Sequence, residues 1–282
     1  MTFSSFLQSI IYVWLDITAK KRDTTKQPYL DGPIADGREV GDMFYNAIAE
    51  NEHLTATLSS DAGLLPDFTT VLNTNSPHLS QLDSEIATFY EHTARYKMDV
   101  WSKWLTPISW FAKLLIRVIS VDMKQMNLPL DSIETSYGMS SEVIQLLDSD
   151  GNQKYACWLR KTNKENKVVY AGFYSAFEVL GSSQRFVRVV FPLPKGNVTV
   201  MLQVEIQADG SVKLLSNKSL KHTGYYRVHK TKRGIFKVQK IPINEIIHVF
   251  RDEVGKLRTD HYFAWWKVTF LHLHYKLKLD TK

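Results

Sequence analysis

The stretch RFVRVVFPLPKGNVTVMLQVEI, residues 185–206, decides the fold. Two runs rich in valine flank a short turn with Pro194 and Gly196, and such a pair is typical of an antiparallel hairpin. The same alternation continues on both sides, where turn-like segments such as DSDGN, ADGS, TKRG and EVGK separate runs rich in Val, Ile, Tyr, Phe and Thr. We therefore predict about ten antiparallel strands over residues 137–282, in a sheet that curls toward a barrel or folds as two layers.

The first half of the chain follows a different pattern. Apolar residues at helical spacing predict helices over about 3–17, 38–50, 64–72, 79–104 and 107–127. Helices followed by hairpins indicate the α+β class. We expect a helical segment, 1–136, packed on a large antiparallel β domain, 137–282, as one compact unit.

Charge also divides the chain. Residues 1–136 hold 11 Lys and Arg against 17 Asp and Glu, a net charge of −6, whereas residues 137–282 hold 24 against 12, a net charge of +12. The excess of cations in the second half favours an anionic partner, or else the two halves pack together and partly neutralise each other.

No sequence motif defines an activity. Nucleophile elbows, phosphate-binding glycine loops and zinc-protease motifs are absent from the sequence, so whether the protein is an enzyme stays open and no cofactor is indicated by a motif. The single cysteine, Cys157, excludes an internal disulfide, and no apolar run is long enough to cross a bilayer. The first residues lack the features of a signal peptide, so we expect a cytoplasmic location.

The last strands carry four histidines that could ligate a metal: His248, His261, His272 and His274. Alternation along FLHLHYKLKL, residues 270–279, places the last two on one face. A two-residue turn at Val254–Gly255, with another near Ala264–Trp265, would bring the other two to that face. Three or four imidazoles there could hold Zn²⁺ or Fe²⁺ and serve a metal-dependent enzyme.

A different turn would separate these histidines. A three-residue turn with Gly255 in a bulge shifts the pairing by one residue and moves His261 to the opposite face. The four side chains would then be hydrogen-bonded histidines on a half-exposed sheet. The sequence leaves both registers open.

A sheet of this size should enclose or back an apolar cavity. The candidate lining residues are aromatic residues of the predicted strands, Tyr170, Phe173, Tyr174, Phe177, Phe191 and Trp265. With the cationic excess, they predict a binding protein for a hydrophobic or amphipathic small molecule, such as a lipid-like molecule with an anionic head.

A membrane surface and nucleic acid are the alternative partners. Tryptophans and cations in the first helix and in residues 89–120, including Trp14 and Trp110, suit a peripheral membrane scaffold, or else these helices simply cover the sheet. Residues 220–240 interleave basic and aromatic side chains, but they lack the aromatic signature of an RNA-binding sheet, which disfavours nucleic acid.

Overall fold

The computed structural model describes residues 17–22, 27–35, 44–105, 139–163, 168–179, 184–193, 196–217, 221–231 and 235–280. These residues form two α-helices, α1 (Phe44–Asn51) and α2 (Ser84–Glu91), and short 3-10 turns at Pro28–Leu30, Phe68–Val71, Leu79–Gln81 and Thr93–Arg95. They also form the strands β1 (Lys20–Arg22), β2 (Thr55–Leu58), β3 (Tyr96–Trp104), β4 (Met139–Leu147), β5 (Gln153–Thr162), β6 (Val168–Glu178), β7 (Arg185–Leu193), β8 (Gly196–Ile206), β9 (Val212–Leu215), β10 (Gly224–Lys230), β11 (Phe236–Ile241), β12 (Ile243–Arg251), β13 (Leu257–Trp265) and β14 (Val268–Leu279).

All fourteen of these strands belong to one antiparallel sheet. The order begins β2-β4-β5-β6-β7-β8, and the sheet forks at β8 because the first half of that strand pairs with β10 and the second half with β9. One branch continues through β11 to β1, and the other through β12, β13 and β14 to β3. Over the described residues, β2 and β3 are unpaired edges at opposite ends of the strand order, so the sheet is not closed.

One face of the sheet is concave, because strands far apart in its order share one core. This core contains Val143, Val187, Leu202, Leu214, Val249 and Leu277 from six different strands. The same core contains the fully buried side chains of Leu64, Leu65, Phe68 and Ile86. The segment that carries α2 therefore packs into the concavity, where burial of so many apolar side chains stabilises the fold.

Polar contacts attach α2 to the sheet. The Asp83 side chain accepts a hydrogen bond from the backbone N–H of Glu85, 2.9 Å away, and so caps the start of the helix. The same carboxylate forms an ion pair with Arg251 at the end of β12, with Nε 2.5 Å from Oδ2.

The convex face carries separate apolar clusters. Helix α1 covers one of them, in which Phe44 contacts Phe173 with ring centroids 5.5 Å apart. Cys157 is buried in the same cluster. Another cluster forms around Tyr29 and Leu30.

The fold is mostly β rather than α+β. The antiparallel β half is confirmed, with eleven strands, β4 to β14, in the described residues from 139 to 280. Strands from both predicted segments hydrogen-bond in the same sheet, since β3 pairs with β14 and β2 with β4. The predicted helix over 64–72 is only the 3-10 turn at Phe68–Val71.

The predicted long helix over 79–104 is wrong in its second half, which is the strand β3. Along Tyr96–Trp104 burial alternates with a period of two, so that Tyr96 and Val100 are buried while Lys97 and Trp101 are exposed. This alternation fits a strand, and pairing with β14 along nine residues outweighs the helical spacing of the same apolar residues.

The predicted helix over 107–127, with Trp110, lies outside the described residues, as does nearly all of the predicted first helix, including Trp14. In the part of the chain that the structure describes, no helix has the length and apolar character needed to cross a membrane.

Candidate functional site

The turn between β12 and β13 decides whether His248 and His261 share a face of the sheet. His248 lies opposite Asp260, and His261 lies opposite Ile247, so the two-residue turn at Val254–Gly255 is wrong. The turn spans 252–256, because the Asp252 carboxylate accepts hydrogen bonds from the backbone N–H groups of residues 254 and 256, at 3.1 and 2.8 Å. The shift by one residue moves His261 to the concave face.

The next turn also differs from the expectation. It lies at 266–267, where Trp266 has a positive φ of 53°, rather than at 264–265. A bulge after Phe263 then sets the register in which Asp260 lies opposite His274, and Tyr262 opposite His272. Asp260, His272 and His274 therefore share the convex face.

A buried carboxylate organises the concave face. Glu245 on β12 is only 6% exposed, and the Tyr225 hydroxyl donates a hydrogen bond to its Oε2 over 2.7 Å. Its Oε1 lies 2.5 Å from Nε2 of His261. A buried carboxylate requires such partners, because an isolated charge in an apolar interior is strongly disfavoured.

Tyrosine hydroxyls surround this carboxylate. Burial, together with the negative charge of Glu245, raises the pKa of Tyr90 and of Tyr225. Burial also raises the pKa of Tyr170 and of Tyr174, whose hydroxyls hydrogen-bond to each other. These hydroxyls stay neutral at physiological pH and can act as hydrogen-bond donors.

Arg160 brings a cation to the same face. Its side chain extends from β5, is 7% exposed, and has its guanidinium carbon 5.6 Å from the ring centroids of both Trp158 and Tyr275. Its Nε has no hydrogen-bond partner among the described residues. A buried donor without an acceptor is unfavourable, so a group that supplied one would be bound with a gain in free energy.

A series of ring contacts and cation–π contacts connects β5, β6 and β7 with β14 across the concavity. Phe191 contacts Tyr170, and Tyr170 contacts Trp158, with centroids 5.2 and 5.8 Å apart. Arg160 then links Trp158 to Tyr275 on β14. Tyr275 in turn lies 6.3 Å from the ring of His261.

These side chains line the concave face but are not closed off by neighbouring atoms. Trp158, Tyr170, His261 and Tyr275 each keep part of their surface exposed, whereas the side chains around Phe68 are fully buried. This part of the concave face therefore offers aromatic and polar surface to a small molecule.

The six aromatic residues expected to line a cavity do not lie together. Tyr170, Tyr174 and Phe191 belong to the concave core. Phe173 lies beneath α1 and Phe177 beside Tyr29, as the alternation of side chains along β6 requires, and Trp265 lies in a separate cluster with Phe270.

Asp260, His272 and His274 form a compact polar group on the convex face. Oδ1 of Asp260 lies 2.9 Å from Nε2 of His272 and 2.8 Å from Nδ1 of His274. Burial opposes ionisation of Asp260, but these hydrogen bonds and the charges of the two histidines outweigh it and lower its pKa. Of the other predicted ligands, His248 shares this face and lies 2.9 Å from the Ser211 hydroxyl, while His261 lies on the opposite face.

Several residues of the two sites were not identified from the sequence: Trp158, Arg160, Tyr225, Glu245, Asp260 and Tyr275. One signal was available, since Trp158 and Arg160 are two residues apart and must share a face of their strand. The contact between Glu245 and His261 had no such signal, because it depends on the register of the hairpin.

Comparison of the chain with protein-family models, with curated proteins and with solved structures finds no match in any of the three.

Proposed function

We propose that the concave face of the sheet binds one amphipathic small molecule, with its apolar body against the aromatic side chains and an anionic head group on Arg160. The observation that carries this proposal is the buried guanidinium of Arg160, whose Nε lacks a partner among the described residues.

The aromatic side chains support the first part of the proposal. Trp158, Tyr170 and Phe191 make edge-to-face contacts that hold their rings in a fixed arrangement. The indole N–H of Trp158 donates to the Ser141 hydroxyl over 2.8 Å, which fixes that ring further. A rigid, partly exposed aromatic surface binds apolar groups with a small loss of side-chain entropy.

The charge of Arg160 supports an acidic head group. No ion pair joins Arg160 to Glu245 in the described part of the chain, where the Glu245 carboxylate contacts Tyr225 and His261. A carboxylate or phosphate would accept hydrogen bonds from the planar guanidinium, and charge-assisted bonds of this kind are the stronger ones.

The first experiment asks whether the protein contains and prefers such a ligand. Native mass spectrometry of the purified full chain should show a bound small molecule. After delipidation, titration calorimetry should show that dodecanoate binds at least about tenfold more tightly than dodecanol, because a hydrogen bond to a charged group contributes about 1.5–3 kcal/mol.

Substitutions at Arg160 then test the position of the head group. Arg160→Gln should abolish the preference for dodecanoate over dodecanol, and Arg160→Lys, which keeps the charge, should retain part of it. Arg185→Gln is the matched control, because it removes one cation whose guanidinium lies on the surface 3.5 Å from Glu178. The proposal is rejected if neither probe binds, if the two probes bind equally, or if Arg160→Gln keeps the preference.

A further inference from the structure

We propose that Asp260, His272 and His274 form a binding site for a first-row transition metal ion such as Zn²⁺, on the face of the sheet opposite the concavity. The site goes beyond the proposed ligand binding, and the two can be tested independently because they lie on different faces.

Paired strands position all three side chains. His272 and His274 are two residues apart on β14, and Asp260 lies directly opposite His274 on β13. Because all three come from neighbouring strands in the interior of a sheet, their backbones are held at fixed separations. Sites built on strands hold their side chains more firmly than sites built on loops.

The ligand atoms already converge on one point. One ligand atom from each of His272, His274 and Asp260 can be chosen so that the three lie within 4.8 Å of one another. In a tetrahedral zinc site with bonds of about 2.0–2.1 Å, neighbouring ligand atoms are about 3.3 Å apart. The present distances from Oδ1 to the two nitrogens, 2.9 and 2.8 Å, are about 0.5 Å shorter because hydrogen bonds hold these atoms together, and a Zn²⁺ ion would displace the shared protons as the carboxylate moves back.

Neighbouring aromatic rings support the imidazoles. The Tyr262 ring stacks on that of His272 with centroids 4.3 Å apart and an angle of 14°. The Trp101 ring lies 5.9 Å from that of His274. These contacts limit the reorientation of the imidazoles, so little side-chain entropy is lost when an ion binds.

The donor set indicates the class of ion. Two imidazoles and one carboxylate suit Zn²⁺, Co²⁺, Ni²⁺ or Cu²⁺, whereas Mg²⁺ and Ca²⁺ prefer oxygen ligands alone. The side chains of His272, His274 and Asp260 remain 26%, 34% and 22% exposed, so ions can enter from solvent. Three protein ligands leave a fourth tetrahedral position for water.

Metal titration of the tag-free full chain tests the site. Zn²⁺ should bind with one-to-one stoichiometry in calorimetry. Co²⁺ should give the visible absorption bands of a cobalt ion with low coordination number, and added Zn²⁺ should abolish these bands by displacing the cobalt. His272→Gln, His274→Gln and Asp260→Asn should each weaken Zn²⁺ binding at least tenfold, and Mg²⁺ should not compete.

His248→Gln provides the matched control. His248 lies on the same face, directly opposite Asp260, but its imidazole contacts Ser211 instead of the three ligands. This variant should keep the affinity of the original chain, and circular dichroism should show that every variant is folded. The site is refuted if the Kd for Zn²⁺ is higher than about 100 µM, which corresponds to a binding free energy of about −5.5 kcal/mol. It is also refuted if Zn²⁺ binds equally to the three ligand variants, or if His248→Gln weakens binding as much as they do.

Discussion

Replacement of Glu245 tests whether the polar cluster on the concave face stabilises the fold. Glu245→Ala removes the acceptor of the Tyr225 hydroxyl and the partner of His261. Each buried polar group left without a partner costs about 1–3 kcal/mol, and Glu245→Ala leaves two such groups, the Tyr225 hydroxyl and the His261 imidazole. We therefore expect Glu245→Ala to lower the free energy of unfolding by about 2–6 kcal/mol.

More conservative variants separate charge from hydrogen bonding. Glu245→Gln keeps a polar side chain of the same size but loses its charge, so it should cost about 1–2 kcal/mol, the difference between charged and neutral hydrogen bonds. Tyr225→Phe removes one donor to the carboxylate and should cost about 1.5–3 kcal/mol. In the Glu245→Ala background, the same Tyr225→Phe change should cost much less, because the hydroxyl has already lost its partner.

Urea unfolding followed by tryptophan fluorescence and circular dichroism measures these differences. Glu178→Ala is the control, since its carboxylate lies on the surface 3.5 Å from Arg185, and exposed pairs contribute about 0–1 kcal/mol. A loss below about 1 kcal/mol for Glu245→Ala would contradict the reasoning. Additive effects of Glu245→Ala and Tyr225→Phe would contradict it as well.

Two further predictions concern Asp260 and Cys157. The pKa of Asp260 in the folded chain is lowered below its ordinary value of 3.8. Ionisation of Asp260 therefore stabilises the fold at pH values above 3.8, and this stabilisation is lost as the pH falls from 3.8 through the lower pKa of the folded chain. The stability difference between the original chain and Asp260→Asn should therefore shrink in urea titrations from pH 5 to pH 3, and a constant difference would argue against the lowered pKa. Burial raises the pKa of the Cys157 thiol far above its ordinary value, so the thiol should react with a disulfide reagent only after urea unfolds the chain, and rapid labelling of the native protein would contradict its burial.

The hairpin-rich half of the fold could be predicted because its signals are local. A strand such as Val198–Ile206 is recognised by its own β-branched residues and by the turn that precedes it. The first half was harder, since Tyr96–Trp104 contains apolar residues at both helical and strand spacing. Its pairing with β14, more than 160 residues later in the chain, selected the strand.

The candidate sites depend on register, which the sequence left open. Asp252 could accept hydrogen bonds in a longer turn, but nothing local required that turn instead of a shorter one. One residue of shift in the first hairpin separated His261 from His248, and the second turn with its bulge set Asp260 opposite His274 and His261 opposite Leu273. Which side chains meet was therefore decided by the geometry of two turns and one bulge.

By itself, the amino-acid sequence determined that the second half forms antiparallel strands and that His272 and His274 share a face, because period-two alternation is a property of neighbouring residues. Only the tertiary structure decided that the segment around Phe68 packs into the concavity, that Glu245 meets His261, and that Arg160 faces Tyr275. Those contacts join residues far apart in the chain, and they form only when strand pairing and burial of the apolar core have fixed the curvature of the whole sheet.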